Sequence, residues 1–368
     1  MKIVSFKGGK IMQILEYFYQ LTIVNEHFKE RKVTLPLDET FILFGARGTG
    51  KSTLAIEYLS SIDEDEFIYI DCQDPIFALE DIDIEMLNQF IVDEEIETVV
   101  LDHYYCGFFE SKPICEQLIV IGRQSNYFGI DEKLELYPLD YEEFLSFDNT
   151  SSATVSFNHF LKMGTLPLSA HSNVNLAYSE MRRFFYSSFD EDESRLMLIL
   201  ARHQGRRITT NQIYTYAKEY FRISKDRVYR TIKSFVDEKV IQFVDDIDGK
   251  GAKKMFIYDF AISKYLSKSQ SFSVTFDSLI ALALIKHGVE FRAIGMQGYI
   301  IYADELIIPS AFENEEQFWK KSYNRIDSYK KAGIKRVTIV SVSNQYSYTL
   351  SDIRFEAIPF YEWSILNG

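Results

Sequence analysis

The chain has 368 residues, of which 46% are apolar and 26% charged, and its 40 Lys+Arg against 54 Asp+Glu give a formal charge of −14. That length exceeds one compact core and predicts two or three domains of ordinary globular composition. No apolar run approaches the roughly 18 residues of a membrane helix, and Met1–Lys10 lacks the apolar stretch and cleavage site of a signal peptide, so a cytoplasmic location is expected. The three cysteines, Cys72, Cys106 and Cys115, fit no metal-ligand spacing and read as small buried hydrophobes in a reducing compartment.

In chain order, helical spacing of apolar residues predicts a helix over Ile11–Lys29, closed by the charged run Lys29-Glu30-Arg31-Lys32. Short apolar runs then alternate with helical ones. The predicted strands are Phe41–Phe44, Glu66–Cys72, Thr98–Asp102, Gln117–Gly122 and Lys133–Tyr137. Strands separated by helical connectors predict βαβ units and a parallel sheet covered on both faces, with ligands at the carboxyl ends of the strands.

At the end of the first strand stands Gly45-Ala46-Arg47-Gly48-Thr49-Gly50-Lys51-Ser52, followed by Thr53 and a helical run to Leu59. It satisfies G-x-x-x-x-G-K-[ST] in the strand–loop–helix context that the motif requires. Glycines let the backbone wrap a phosphate chain, so that loop amides and a helix N-terminus face anionic oxygens. Lys51 is expected to reach the β- and γ-phosphates and Ser52 to hold Mg²⁺. The chain is therefore expected to bind ATP or GTP, with ATP/ADP and Mg²⁺ as cofactors and residues 45–53 as the binding loop.

The run Thr98-Val99-Val100-Leu101-Asp102 has the form of a strand that delivers a carboxylate to a magnesium shell, and Asp102 is the expected partner of Ser52. The next residue is His103, where many ATPases carry a glutamate that orients the attacking water. His103 reads either as a weaker proton acceptor or as a polar loop side chain, with Glu110 as an alternative base. After the fourth strand, Arg123 in Gly122-Arg123-Gln124-Ser125-Asn126 is either a γ-phosphate sensor or a solvated loop arginine.

Beyond an acidic linker, Asp190–Glu193, three helices are predicted at Arg195–His203, Thr209–Phe221 and Ser224–Glu238, with Thr209 and Ser224 as N-caps. A ribbon of Val240–Asp245 and Lys254–Asp259 follows around Asp248-Gly249-Lys250-Gly251, completing a winged helix-turn-helix pattern. Over 195–239 there are 11 Lys+Arg and 4 Asp+Glu, 11 − 4 = +7, within a chain of −14. Lys225, Arg227, Arg230 and Lys233 on the third helix, with Lys250, Lys253 and Lys254 on the wing, form a candidate patch for double-stranded DNA. The competing reading pairs these cations with acidic neighbours and gives the module to protein contacts. The last segment, from about Tyr265, predicts a helix at Phe276–Lys286 and strands at Phe291–Ile294, Tyr299–Ala303 and Glu305–Pro309. A helix at Glu315–Ala332, a strand at Arg336–Val342 and a terminal Phe355–Ile365 complete a small α/β unit.

Several segments together resemble prokaryotic P-loop ATPases of the AAA+ superfamily with a C-terminal region of the DUF4143 type. The nucleotide motifs at Gly45–Thr53 and Thr98–Asp102 match, and Leu118–Gly122 with its polar cluster resembles a sensor-1 strand. Leu136–Leu145 resembles that group's PL-x-x-x-EF segment, and Phe160–Pro167 its FL-x-x-G-x-x-P stretch. The resemblance implies sheet order 5-1-4-3-2, a helical lid, a winged helix and a C-terminal domain of restriction-endonuclease-like fold. It divides the chain into a core at 1–150, a lid or linker at 151–193, a winged helix at 194–262 and a C-terminal domain at 263–368. Arg182 or Arg183 in the lid would touch the γ-phosphate. The strands Gly298–Tyr302 and Ile308–Phe312 lack the Asp and E-x-K ligands of a nuclease, and Asp277 and Glu290 alone do not make a metal site. The C-terminal domain is thus expected to be a scaffold or protein-partner module. The function expected is slow Mg²⁺-dependent ATP hydrolysis coupled to DNA or partner binding. The alternatives are a nucleotide-gated adaptor with little hydrolysis and an ATP-dependent DNA-cleaving or defence protein.

Overall fold

The computed structural model describes residues 6–21, 28–148, 153–170, 174–249, 251–267, 270–295, 298–302 and 304–366. The chain divides into two compact units, Met1–Tyr137 together with Asp237–Lys239, and Pro138–Val236 together with Val240–Gly368.

In the first unit, α1 (Phe6–Tyr19), β1 (Phe41–Phe44), α2 (Lys51–Leu59), β2 (Phe67–Asp71), α3 (Ile84–Asp93), β3 (Thr98–Tyr104), β4 (Gln117–Gly122) and β5 (Lys133–Glu135) follow one another. The strands form one sheet in the order β2-β3-β4-β1-β5, with every pairing parallel, which is the 5-1-4-3-2 order expected. The first helix stops at Tyr19 rather than Lys29, ahead of the β-branched run Thr22-Ile23-Val24, and 22–27 lie outside the described residues. Period-2 alternation divides the strand residues between two cores. Ile42, Ile68, Ile70, Val99, Leu101, Leu118 and Val120 pack with Ile14, Leu15 and Phe18 of α1 and with Leu87 and Phe90 of α3. Phe41, Leu43, Val100, Ile119 and Ile121 pack with Leu54, Ala55 and Leu59 of α2. A parallel sheet buried on both faces accounts for strands that read as almost continuous apolar runs.

The second unit opens with α4 (Tyr141–Phe147), α5 (Ala153–Met163), α6 (Pro167–Ala170) and α7 (Val174–Ser188). Asp140 caps α4 through a reciprocal box with Glu143, whose carboxylate also takes the Lys286 ammonium. At Gly164, φ is +83°, and an added Cβ would lie 2.5 Å from Ala261 Cβ and 2.7 Å from Asp259 Oδ2. The fully buried Asp259 accepts from both the amide and the hydroxyl of Thr165 at 2.5 Å.

Next come α8 (Glu191–Arg202), β6 (Arg207–Ile208), α9 (Thr210–Tyr220), α10 (Lys225–Asp237), β7 (Ile241–Val244) and β8 (Lys253–Ile257). The three strands pair antiparallel in the order β6-β8-β7. The acidic run read as a linker is instead the start of α8. Asp190 is its N-cap in a capping box with Glu193, and Glu191, Asp192 and Glu193 occupy the first turn, where the helix dipole favours negative charge.

The unit ends with α11 (Phe260–Leu266), α12 (Phe272–Lys286), β9 (Phe291–Ala293), β10 (Tyr299–Ile301), β11 (Glu305–Pro309), α13 (Glu315–Lys331), β12 (Arg336–Ser341), β13 (Tyr346–Leu350), β14 (Ile353–Pro359) and α14 (Phe360–Leu366). Six of these strands make a mixed sheet ordered β13-β14-β12-β11-β10-β9. The edge strand β13 was not expected, and the terminal run predicted over Phe355–Ile365 resolves into strand then helix at Phe360. Among the described residues no helix is long and apolar enough to cross a membrane. Of the three free cysteines only Cys72 is buried, and Cys106 is exposed, which corrects its reading as a buried hydrophobe.

Candidate functional site

The glycine-rich loop leaves β1 and enters α2 through three glycines with positive φ, Gly45 at 140°, Gly48 at 77° and Gly50 at 91°. Gly45 has no room for a side chain, because a Cβ there would stand 2.5 Å from the Leu136 carbonyl oxygen. Gly50 is the N-cap of α2, so the helix begins at Lys51 with its first amides directed into the loop. The Lys51 ammonium folds back onto the carbonyls of Gly45 at 2.9 Å and Ala46 at 2.8 Å. Burial lowers its pKa to about 8, against the charge of Asp102, which favours the ammonium, while Arg123 lowers it further. Arg123 at the tip of β4 is therefore close enough to act electrostatically on the loop lysine.

Two arginines brace the loop. Arg31, from the charged run ahead of β1, donates to the Thr49 carbonyl and to the Tyr137 carbonyl, each at 2.8 Å. Arg47, within the loop and buried, donates from Nε and Nη2 to Glu238 Oε2 at 3.0 and 2.7 Å. The Thr49 hydroxyl closes the turn by donating to the Ala46 carbonyl at 3.0 Å. Thr53 is exposed on the first turn of α2.

Asp102 is completely buried near the end of β3. Its Oδ1 accepts from the His103 amide at 2.7 Å, and its Oδ2 accepts from the hydroxyl of Tyr69 on β2. Burial first, then the Asp102 charge, pushes the Tyr69 phenol far above its ordinary value. Ser52 lies close enough to the phenol to oppose that shift. The Ser52 hydroxyl and the buried Asp102 carboxylate are hard oxygen donors of the type that suits Mg²⁺. Among the described residues no three His, Cys, Asp or Glu side chains converge as a metal site, so such an ion would take its remaining ligands from phosphate and water.

His103 adopts φ +51°, and the register between β3 and β4 shifts between Leu101 and Tyr104. This irregularity turns the imidazole across to β2, where Nδ1 lies 2.9 Å from Asp71 Oδ1. The Asp71 hydrogen bond raises the His103 pKa against the opposing effect of burial. Burial works against ionisation of Asp71, but the bonds from His103 and the Gln73 amide outweigh it and hold the carboxyl below its ordinary value. The imidazole remains 45% exposed, so it is reachable by water. Glu110 is exposed in the loop after β3.

The expected loop residues, Asp102 and His103 thus come together with Arg123. Sequence reasoning missed Arg31, Tyr69, Asp71 and Glu238. Asp71 was accessible through the rule that ligands gather at strand ends, whereas Glu238, far along the chain, carries no local signal.

In the second unit, Arg182 stacks over the Tyr186 ring at 5.7 Å, and Arg182 and Arg183 are both exposed on α7. Arg230 and Lys233 are exposed on α10, and Lys225 lies over the Tyr229 ring at 5.3 Å. Three members of the expected basic patch are paired with carboxylates. Arg227 binds Asp190 at 3.2 Å and Asp192 at 3.1 Å. Lys254 is 1% exposed, held by Asp277 at 2.7 Å and by the Tyr299 hydroxyl at 3.0 Å. Lys253 pairs with Asp245 at 2.9 Å, and Lys250 lies outside the described residues.

No protein-family model matches the chain and no curated protein matches it, so the DUF4143 resemblance rests on the sequence segments alone. Among solved structures the chain is similar to a Walker-type ATPase of Pyrococcus abyssi at 14% identity and TM-score 0.42, covering 72% of this chain and 96% of that one. It is also similar to the Aeropyrum pernix Orc1 protein, solved in complex with DNA, at 12% identity and TM-score 0.29, covering 73% and 94%. A third likeness, at 13% identity and TM-score 0.18 over 68% and 89%, is to Drosophila ORC bound to AT-rich DNA and Cdc6. At TM-scores below 0.5 these likenesses carry no functional argument.

Proposed function

We propose that the chain binds ATP or ADP with Mg²⁺ at Gly45–Thr53 and hydrolyses ATP slowly. The observation that carries this reading is the preformed loop, with three glycines at positive φ and the Lys51 ammonium already directed inward beside buried Asp102. Main-chain amides and the α2 N-terminus would cradle the phosphates. Lys51 would exchange its carbonyl partners for the β- and γ-phosphate oxygens, and Ser52 and Asp102 would hold the metal. Bound Mg²⁺ would neutralise charge on those phosphates. Arg123 is the residue we assign to the γ-phosphate.

We further propose that α8–α10 with β6–β8 is a winged helix, and that nucleotide state governs its binding to double-stranded DNA or to a protein partner. Exposed Arg230 and Lys233 support the DNA reading. A nucleotide-gated adaptor with little turnover is the second reading, favoured by an imidazole at position 103 instead of a carboxylate. DNA cleavage gains no support, since Asp277 is tied to Lys254 and Tyr299.

Calorimetry with ATP and Mg²⁺, followed by phosphate release with and without duplex DNA, tests the reading. Binding abolished by Lys51→Ala is the expected result, and equal heats from wild type and variant would overturn it. Binding without turnover in either condition would select the adaptor.

A further inference from the structure

We propose that Tyr69 is a positioning residue that occupies Asp102 and yields to a divalent cation when nucleotide binds. The inference rests on the reading of Ser52 and Asp102 as the metal ligands. Alternation along β2 sends Ile68 and Ile70 into the core against α1 and α3, and Phe67 and Tyr69 to the face covered by α2. Parallel register sets Tyr69 beside Val100 and Asp71 beside Asp102, so the phenol reaches forward toward the loop end of the sheet.

The phenol hydroxyl donates to Asp102 Oδ2, and Ser52 lies beside it. A completely buried carboxylate needs partners for both oxygens, and here the His103 amide supplies one and Tyr69 the other. The carboxylate is thereby kept fully occupied in the absence of an ion. A cation held by Ser52 and Asp102 would take the carboxylate edge that the phenol now faces. The hydroxyl must swing aside for the metal to enter. Tyr69 therefore competes for the carboxylate and raises the metal concentration at which the site fills.

The test is Mn²⁺ affinity of the full chain in the presence of a non-hydrolysable ATP analogue, read by the loss of free-ion electron paramagnetic resonance signal. Wild type, Tyr69→Phe and Asp102→Asn are compared. Removing the competing hydroxyl should tighten Mn²⁺ binding about five-fold, the factor carried by one net hydrogen bond. The Mn²⁺-induced tyrosine difference absorbance of wild type should be absent from Tyr69→Phe. Unchanged or weaker Mn²⁺ binding by Tyr69→Phe, with binding lost in Asp102→Asn, would overturn the competition while leaving the metal site intact. Mn²⁺ binding unaffected by Asp102→Asn would instead remove the metal-site reading on which the proposal rests. Should Tyr69→Phe lose its cooperative melt, Tyr69→Leu, which keeps an apolar side chain against α2, answers the same question.

Discussion

Arg47 gives both Nε and Nη2 to one carboxylate oxygen of Glu238, 191 positions further along the chain. The arginine is part of the phosphate loop. The glutamate belongs to Asp237–Lys239, three residues of the first unit that begin at the last residue of α10. Both side chains are less than a tenth exposed, so neither charge is dispersed by water.

Removing one partner of such a pair strands a buried charge. Arg47→Ala and Glu238→Ala are each expected to lower stability by about 3 kcal/mol, while Arg47→Met with Glu238→Leu together should cost much less than the sum. A double-mutant cycle from urea denaturation gives the coupling, and strictly additive losses would show that the pair does not act as a unit. Glu238 also opposes phosphate electrostatically through its charge near Lys51. Glu238→Gln should therefore bind ATP more tightly than wild type in calorimetry, even as it melts earlier.

Lys51 offers a pH test with a defined direction. Burial brings its pKa to about 8, so above that pH a growing share of the loop carries a neutral amine. Phosphate restores the charged form, and nucleotide binding must then take up a proton. At pH 8 the uptake should be about half a proton per nucleotide and should rise at higher pH. Calorimetry in buffers of different ionisation enthalpy measures it. Binding enthalpies independent of buffer at pH 8.5 would contradict the prediction.

The Asp71–His103 pair stabilises the fold over a bounded pH window. His103 has a raised folded pKa, so its contribution is full below 6.5 and is lost as pH rises through the raised value. Asp71 has a lowered folded pKa, so its contribution is full above 3.8 and is lost as pH falls through the lowered value. The melting difference between wild type and Asp71→Asn should be largest between pH 3.8 and 6.5 and should shrink on either side. A difference that is flat from pH 4 to 9 would show that the substitution acts by packing alone.

The nucleotide loop was legible because its chemistry is local. Gly45, Gly50 and Lys51 announce a backbone shape and a charge within eight positions, whereas five apolar runs with helical spacers indicate a parallel sheet whose strand order came only from the family resemblance. Leu136–Leu145 and Phe160–Pro167 were legible as motifs but not as structure. The first resolves into the Asp140–Glu143 capping box, and the second into a glycine that has no room beside Asp259 and a threonine that satisfies that carboxylate. Both are packing devices rather than reaction chemistry. Tyr69 was illegible because a tyrosine in a half-buried strand looks like any other core aromatic until Asp102 is placed on the neighbouring strand. Arg227 and Lys254 were read as members of the basic patch, yet Asp190 and Asp277 neutralise them in the fold.

That neutralisation sharpens the expectation for DNA. Arg230 and Lys233 are exposed on α10, so Arg230→Ala and Lys233→Ala should each weaken duplex binding and reduce the slope of log affinity against log salt by about one. Arg227→Ala should change the slope less, because its guanidinium is already shared between Asp190 and Asp192. Lys254→Ala should leave the slope unaltered and instead destabilise the fold, since it strands Asp277 and Tyr299 around a buried gap. Fluorescence anisotropy with a labelled duplex over a salt series distinguishes the four. Equal slopes for wild type, Arg230→Ala and Lys233→Ala would remove α10 from the phosphate backbone and leave this module to protein contacts.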